Sequence, residues 1–142
     1  MNATAEKFGY PDTLIREYTH WLVLLREQQV TLGSLVLVCK DPAQRFSDVT
    51  QEAFAELYEA IGAIERTLST EYDYDKINYL MLMMVDPDVH YHVIPRFASA
   101  REFAGVEVSD HGWPGPPALG EFVEFAASDK QSLLAALRQA WN

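Results

Sequence analysis

The apolar residues of this chain arrive in short runs on either side of one stretch with helical spacing, and that arrangement limits the folds open to it. Trp21 to Leu25 and Ser34 to Cys39 are too short for buried helices and read as strands, the second introduced by Gly33. From Gln51 to about Thr70, Phe54, Leu57, Tyr58, Ile61, Ile64 and Leu68 recur at three- and four-residue steps, which predicts a helix with those residues facing the core. Thr50 is placed to cap it, and Glu52 suits its positive N-terminal end. Ile77 to Val85 and Val89 to Ile94 read as two further strands. Asp86-Pro87 between them reads as the tight turn of an antiparallel hairpin.

Four glycines and three prolines fall between Gly105 and Gly120, predicting irregular structure there. Beyond them Ser128 and Gln131 have the spacing of a capping box, and Leu133, Leu134, Leu137 and Trp141 form one apolar stripe, so the chain ends in a helix. The order strand, strand, helix, strand, strand, loop, helix implies the α+β class with a meander-like antiparallel sheet. At 142 residues the expectation is a single domain, its core spanning about residues 12–97 and residues 98–142 adding the loop and final helix.

Composition narrows function by exclusion. The formal net charge is −10, from 21 acidic and 11 basic residues, which disfavours general binding to nucleic acid or anionic membranes. A small phosphorylated ligand remains compatible if the pocket supplies its own donors. Cys39 is the only cysteine and sits in an apolar run, so a buried, inert thiol is expected, with neither disulfide nor thiolate metal site. No signal peptide or membrane-spanning run is evident, so the expected location is the cytoplasm.

The chemistry concentrates between Asp86 and Arg96. Strand side chains alternate faces, so Asp88, His90 and His92 are expected on one side, with Val89, Tyr91 and Val93 directed into the core. Two of the four histidines thus share a face beside a carboxylate. The residues alone leave that cluster open to nucleophilic, binding or metal roles.

Val89-His90-Tyr91-His92-Val93-Ile94-Pro95-Arg96 resembles the signature of the histidine-triad (HIT) family, in which three histidines alternate with apolar residues. Gly33 with Leu35 to Val38, Arg45 to Val49 and Lys76 to Asn78 resemble further family segments in the right order, extending the likeness over roughly residues 20 to 97. The resemblance implies a homodimer with joined sheets, no cofactor, and hydrolysis or transfer at the α-phosphate of a nucleotide or nucleotide conjugate. It maps the nucleophile onto His90 and a phosphate-binding donor onto His92. Neutral imidazole suits the first role when its tautomer is fixed.

Three positions depart from the family pattern. Asp88 stands where the first histidine belongs, where it is expected to orient an imidazole or, protonated, to serve the leaving group. The loop before the signature shortens to Asp86-Pro87. Arg26 occupies the place of the Asn or Asp that binds ribose hydroxyls, and an arginine prefers phosphate or carboxylate. Arg26, Asn78 and Arg96 complete the expected substrate contacts. His20 is expected to be structural, and His111 to sit in a rigid surface loop. Two other readings stay open: a nucleotide-binding or interaction protein of the same fold with weak or lost catalysis, and a zinc or iron site formed by Asp86, Asp88, His90 and His92.

Overall fold

The computed structural model describes residues 2–142. A short helix α1 (Ala3–Lys7) precedes strands β1 (Leu14–Glu17), β2 (Trp21–Leu25) and β3 (Leu35–Cys39). A single 3-10 turn at Phe46–Asp48 then leads into the long helix α2 (Gln51–Tyr72). Strands β4 (Lys76–Leu80) and β5 (His90–Arg96), the hairpin β6 (Arg101–Phe103) and β7 (Val106–Val108), and helix α3 (Ala127–Ala140) follow. The five long-range strands form one antiparallel sheet in the order β1-β2-β3-β5-β4, so the fold is α+β as its periodicities imply.

The sheet has two unlike faces. On one, Trp21, Val23, Leu25, Leu35, Leu37 and Val93 meet Ile64 and Leu68 of α2 and the leucines of α3 in the main core. The Trp21 indole N–H, fully buried, donates to the Ala53 carbonyl at 2.7 Å and anchors the start of α2. On the other face Leu22, Leu24, Val36 and Val38 are covered by Ala5 and Phe8 of the N-terminal segment. That segment is the missing half of the sheet's sandwich, and its five-residue helix carries too little periodicity to be read in advance.

Gly33 shows why the turn before β3 needs glycine. Its φ is +91°, and a Cβ there would lie 2.7 Å from the Tyr72 ring.

Several expectations change. In α2 the buried positions are Ala53, Leu57, Ala60, Ala63, Ile64, Thr67 and Leu68, while Phe54 and Tyr58 face outward, Tyr58 at 83% exposure. The stripe is rotated because three alanines let the helix sit close to the sheet. The Thr50 cap is present, its hydroxyl accepting from the Ala53 N–H at 3.1 Å. At α3 the Ser128–Gln131 capping box does not form, because the helix begins at Ala127 with Ala126 as its cap. Part of the glycine- and proline-rich stretch is regular after all. Ala104 and Gly105 take φ of +53° and +76°, a two-residue hairpin turn joining β6 to β7.

The most consequential difference lies before β5. The expected strand to Val85 stops at Leu80, and residues 81–89 form a loop in place of a two-residue turn at Asp86-Pro87. Within that loop Met83 has φ of +52°, outside the strand region. Pairing between β4 and β5 ends at Leu80 opposite His92. Beyond that point β5 keeps only β3 as a neighbour, and a cleft opens beside His90.

Candidate functional site

His90 and His92 stand side by side on the β5 face that α1 overlies, 2% and 8% exposed. Their ring centroids are 5.2 Å apart in an edge-on arrangement. The Phe8 ring packs against both, at 6.0 and 5.7 Å. A cleft of about 350 Å³ holds both imidazoles together with Lys7, Phe8, Arg26 and Gln28, and residues 82–86 wall its far side. That volume lies within the range of ordinary small-molecule sites.

The two rings differ in what holds them. His90 Nδ1 lies 2.7 Å from the main-chain oxygen of Asp88. A carbonyl only accepts, so Nδ1 carries a proton, and in the neutral ring the lone pair is on Nε2. His92 Nδ1 is buried without a partner. Burial depresses the His92 pKa most, with the positive charge of Arg26 next, and it falls to about 4. The site therefore presents His92 as a neutral imidazole near pH 7, beside His90, whose Nδ1–H is fixed by the backbone.

Asp88 contributes its carbonyl to this arrangement, and its carboxylate lies on the same face without entering the cleft. The alternation expected from the sequence holds through Asp88: Val89 joins the main core on the opposite face, and Asp88 meets α1, which covers the histidine face. Its carboxylate accepts the Thr4 N–H at 3.1 Å, the Asp88 N–H donates to the Thr4 hydroxyl at 3.0 Å, and the side chain lines a separate hollow with Asn2 and Asp41. The carboxylate that does line the histidine cleft is Asp86, ion-paired to Lys7 at 2.9 Å. Among the described residues no three His, Cys, Asp or Glu side chains are disposed to hold a metal, so the cluster the metal reading required is not assembled.

Of the expected substrate contacts, only Arg26 reaches the cleft. Arg96 Nε and Nη2 grip Asp110 at 2.8 and 2.9 Å, while Nη1 donates to Asn78 Oδ1 at 2.8 Å. Asp110 also accepts the Phe97 N–H at 3.0 Å. Burial would raise its carboxyl, but those hydrogen bonds and the Arg96 charge outweigh burial and hold it below the usual range. Arg96 and Asn78 thus fasten the β7–α3 connection to the sheet edge, and neither lines the cleft.

The remaining candidates lie outside the histidine cleft. His20 pairs with Asp41 at 2.8 Å, exposed His111 sits 3.9 Å from Glu121, and Cys39 is buried, its thiol pKa raised by desolvation. Lys7, Phe8 and Gln28 were not anticipated as site residues. The one local signal for the first two is Asn2, whose side chain caps α1 by accepting the Ala5 N–H at 2.9 Å.

The profile of the HIT domain matches residues 8–99. A histidine triad protein from Bradyrhizobium japonicum shares 22% identity with a TM-score of 0.76, covering 100% of this chain and 97% of its own. A histidine triad (HIT) protein from Sinorhizobium meliloti matches at 19% identity and TM-score 0.76, covering 99% of this chain and 95% of that one. A histidine triad protein from Marinobacter aquaeolei matches at 20% and 0.76, covering 99% and 96%. At these identities the structural likeness is one of fold. No curated protein matches the chain.

Proposed function

This chain belongs to the HIT domain family, and from that premise we propose that it hydrolyses or transfers nucleotidyl groups at an α-phosphate through a covalent intermediate on His90. The carrying observation is the bond from His90 Nδ1 to the Asp88 carbonyl, which makes Nε2 the lone-pair nitrogen of the neutral ring in a cleft that also holds His92 and Arg26. In the first step Nε2 attacks phosphorus, the N–P bond forms, and the bond to the leaving group breaks with its electron pair departing on that group. Water, or an acceptor in transfer, then attacks the same phosphorus and returns the pair to Nε2. His92 donates a hydrogen bond to a phosphate oxygen as charge builds there.

Asp88, its carboxylate turned to Thr4, positions His90 through its carbonyl and does not face the leaving group. That favours leaving groups stable as anions, such as phosphates. It also supports a second reading, a nucleotide-binding protein with weak turnover. A substrate panel of nucleoside phosphoramidates, dinucleoside polyphosphates and nucleotide sugars, assayed with wild type and His90→Ala, separates the two. Hydrolysis by wild type, lowered at least about 10³-fold in the variant, supports the enzyme. Binding without turnover supports the second reading.

The active unit in this reading is a homodimer. β4 forms one edge of the sheet, and the adjoining loop exposes Leu82, Met84 and Val85, so a second copy has both a strand edge and apolar surface to meet. Light scattering reporting one chain's mass at micromolar concentration counts against it. No helix among the described residues is long and apolar enough to cross a membrane, and we place the protein's activity in the cytoplasm.

A further inference from the structure

Arg26 is a buried cation without a counter-charge. It is 8% exposed, its Nη1 donates to the Gln28 carbonyl at 2.6 Å, and its Nε is buried with no partner. Among the described residues no carboxylate pairs with it, although the chain carries 21 acidic side chains to 11 basic ones. Burying an unpaired charge costs several kcal/mol, and burial already depresses the Arg26 pKa. A fold that neutralises Arg96 with a two-pronged carboxylate has left Arg26 open.

Its position separates it from the reacting centre. Leu24 pairs with Val36, and Val36 with His92. Arg26 continues that ladder by donating its N–H to the Ser34 carbonyl at 3.1 Å, one same-face step beyond the His92 row. With about 6.8 Å per step and about 4.8 Å between strands, its backbone lies about 12 Å from that of His92 and about 17 Å from that of His90. The extended side chain reaches the cleft from one side, nearest His92. It also lines an adjoining hollow of about 280 Å³ that contains neither histidine and shares Lys7, Phe8, Arg26 and Gln28 with the cleft. Arg26 thus stands where the two spaces meet. The hollow's own carboxylates do not cancel it: Glu27 is bound to Lys130 at 2.6 Å, and Glu124 is exposed to solvent.

We propose that Arg26 receives a second anionic group of the ligand, a phosphate or carboxylate set apart from the phosphoryl group at the histidines, so that the preferred substrates are doubly anionic. A guanidinium with its Nε free offers either oxyanion a directed fork. The inference rests on the histidine cleft being the phosphoryl site, and it selects among nucleotides by charge placement.

Calorimetric affinities test it for adenosine 5′-monophosphate, adenosine 2′,5′- and 3′,5′-bisphosphate, and N6-succinyl adenosine 5′-monophosphate. These are measured on wild type, Arg26→Gln and Arg26→Lys, each checked for folding by circular dichroism. At least one doubly anionic nucleotide is expected to bind wild type ten-fold or more tighter than the monophosphate. The bisphosphates and the succinyl compound identify the second anion as phosphate or carboxylate. Arg26→Gln is expected to bring that ratio close to one by weakening the doubly anionic ligand ten-fold or more beyond any loss for the monophosphate, and Arg26→Lys to keep part of it. Equal losses for both ligand classes in Arg26→Gln place Arg26 on the reacting phosphate and overturn the inference. Equal affinities in wild type also overturn it, leaving the His90 reading intact. No binding of any of the four overturns both.

Discussion

Two buried arginines lie on the same face of this sheet and have been treated in opposite ways. Arg96, at the end of β5, spends Nε and both terminal nitrogens on Asp110 and Asn78. Arg26, just past β2, bonds one main-chain carbonyl and leaves its Nε unmet beside His92. A fully paired buried charge holds a connection in place, and losing one partner strands the other. An unpaired one contributes little to stability and gains its partner when a ligand arrives. The histidines repeat the contrast at smaller scale, His90 fixed by a carbonyl and His92 with a buried nitrogen unmatched.

The comparison breaks first at Asp110. Asp110→Ala leaves Arg96 buried and unpaired, and should cost about 3–5 kcal/mol of stability by denaturant unfolding. Arg26→Gln should stay within about 1 kcal/mol of wild type or gain stability, since it removes an uncompensated charge. Similar losses in both variants would erase the distinction. Asn78→Ala removes one acceptor from Arg96 and should cost about 1–3 kcal/mol.

Acid titration sharpens the same contrast. The folded protein holds His92 at about 4, against about 6.5 in the unfolded chain. Between those values the unfolded chain binds a proton that the native state refuses. The stability contributed by the neutral ring is complete above about pH 6.5 and is lost as pH falls toward 4. Asp110, held below its usual value, adds stability that is present above about pH 4 and lost as pH falls through its folded pKa. Unfolding followed from pH 7 to 3 should show two successive declines, and His92→Gln should flatten the first alone. The smallest effect belongs to Lys7→Ala, which breaks a half-exposed ion pair with Asp86 and should shift stability by less than about 1 kcal/mol.

What the sequence made legible follows from where each signal resides. β2, β3 and α2 are long or strongly periodic, and their positions could be read locally. The face shared by His90 and His92 was legible because alternation on a strand needs no tertiary information. Asp88 keeps the histidine face, but its capture by Thr4 was not legible, because that partner lies 84 residues away in sequence. The apolar run through Val85 looked like continued strand because nothing in Met81 to Met84 announces that Met83 turns left-handed. Arg96 and Asn78 were assigned to substrate because their partner, Asp110, lies fourteen residues beyond Arg96 in the irregular segment after β7. The N-terminal cover was illegible for the same reason: α1 is held by Thr4 and Lys7 reaching Asp88 and Asp86, contacts about eighty residues away in sequence.

The covalent step on His90 is the claim on which the mechanism stands, and intact-protein mass spectrometry of rapidly quenched turnover tests it directly. With the best substrate from the panel, wild type should gain the mass of one nucleotidyl group, in an acid-labile bond mapping to the peptide that contains His90, and His90→Ala should gain none. Turnover without any adduct, undiminished in His90→Ala, would contradict the account.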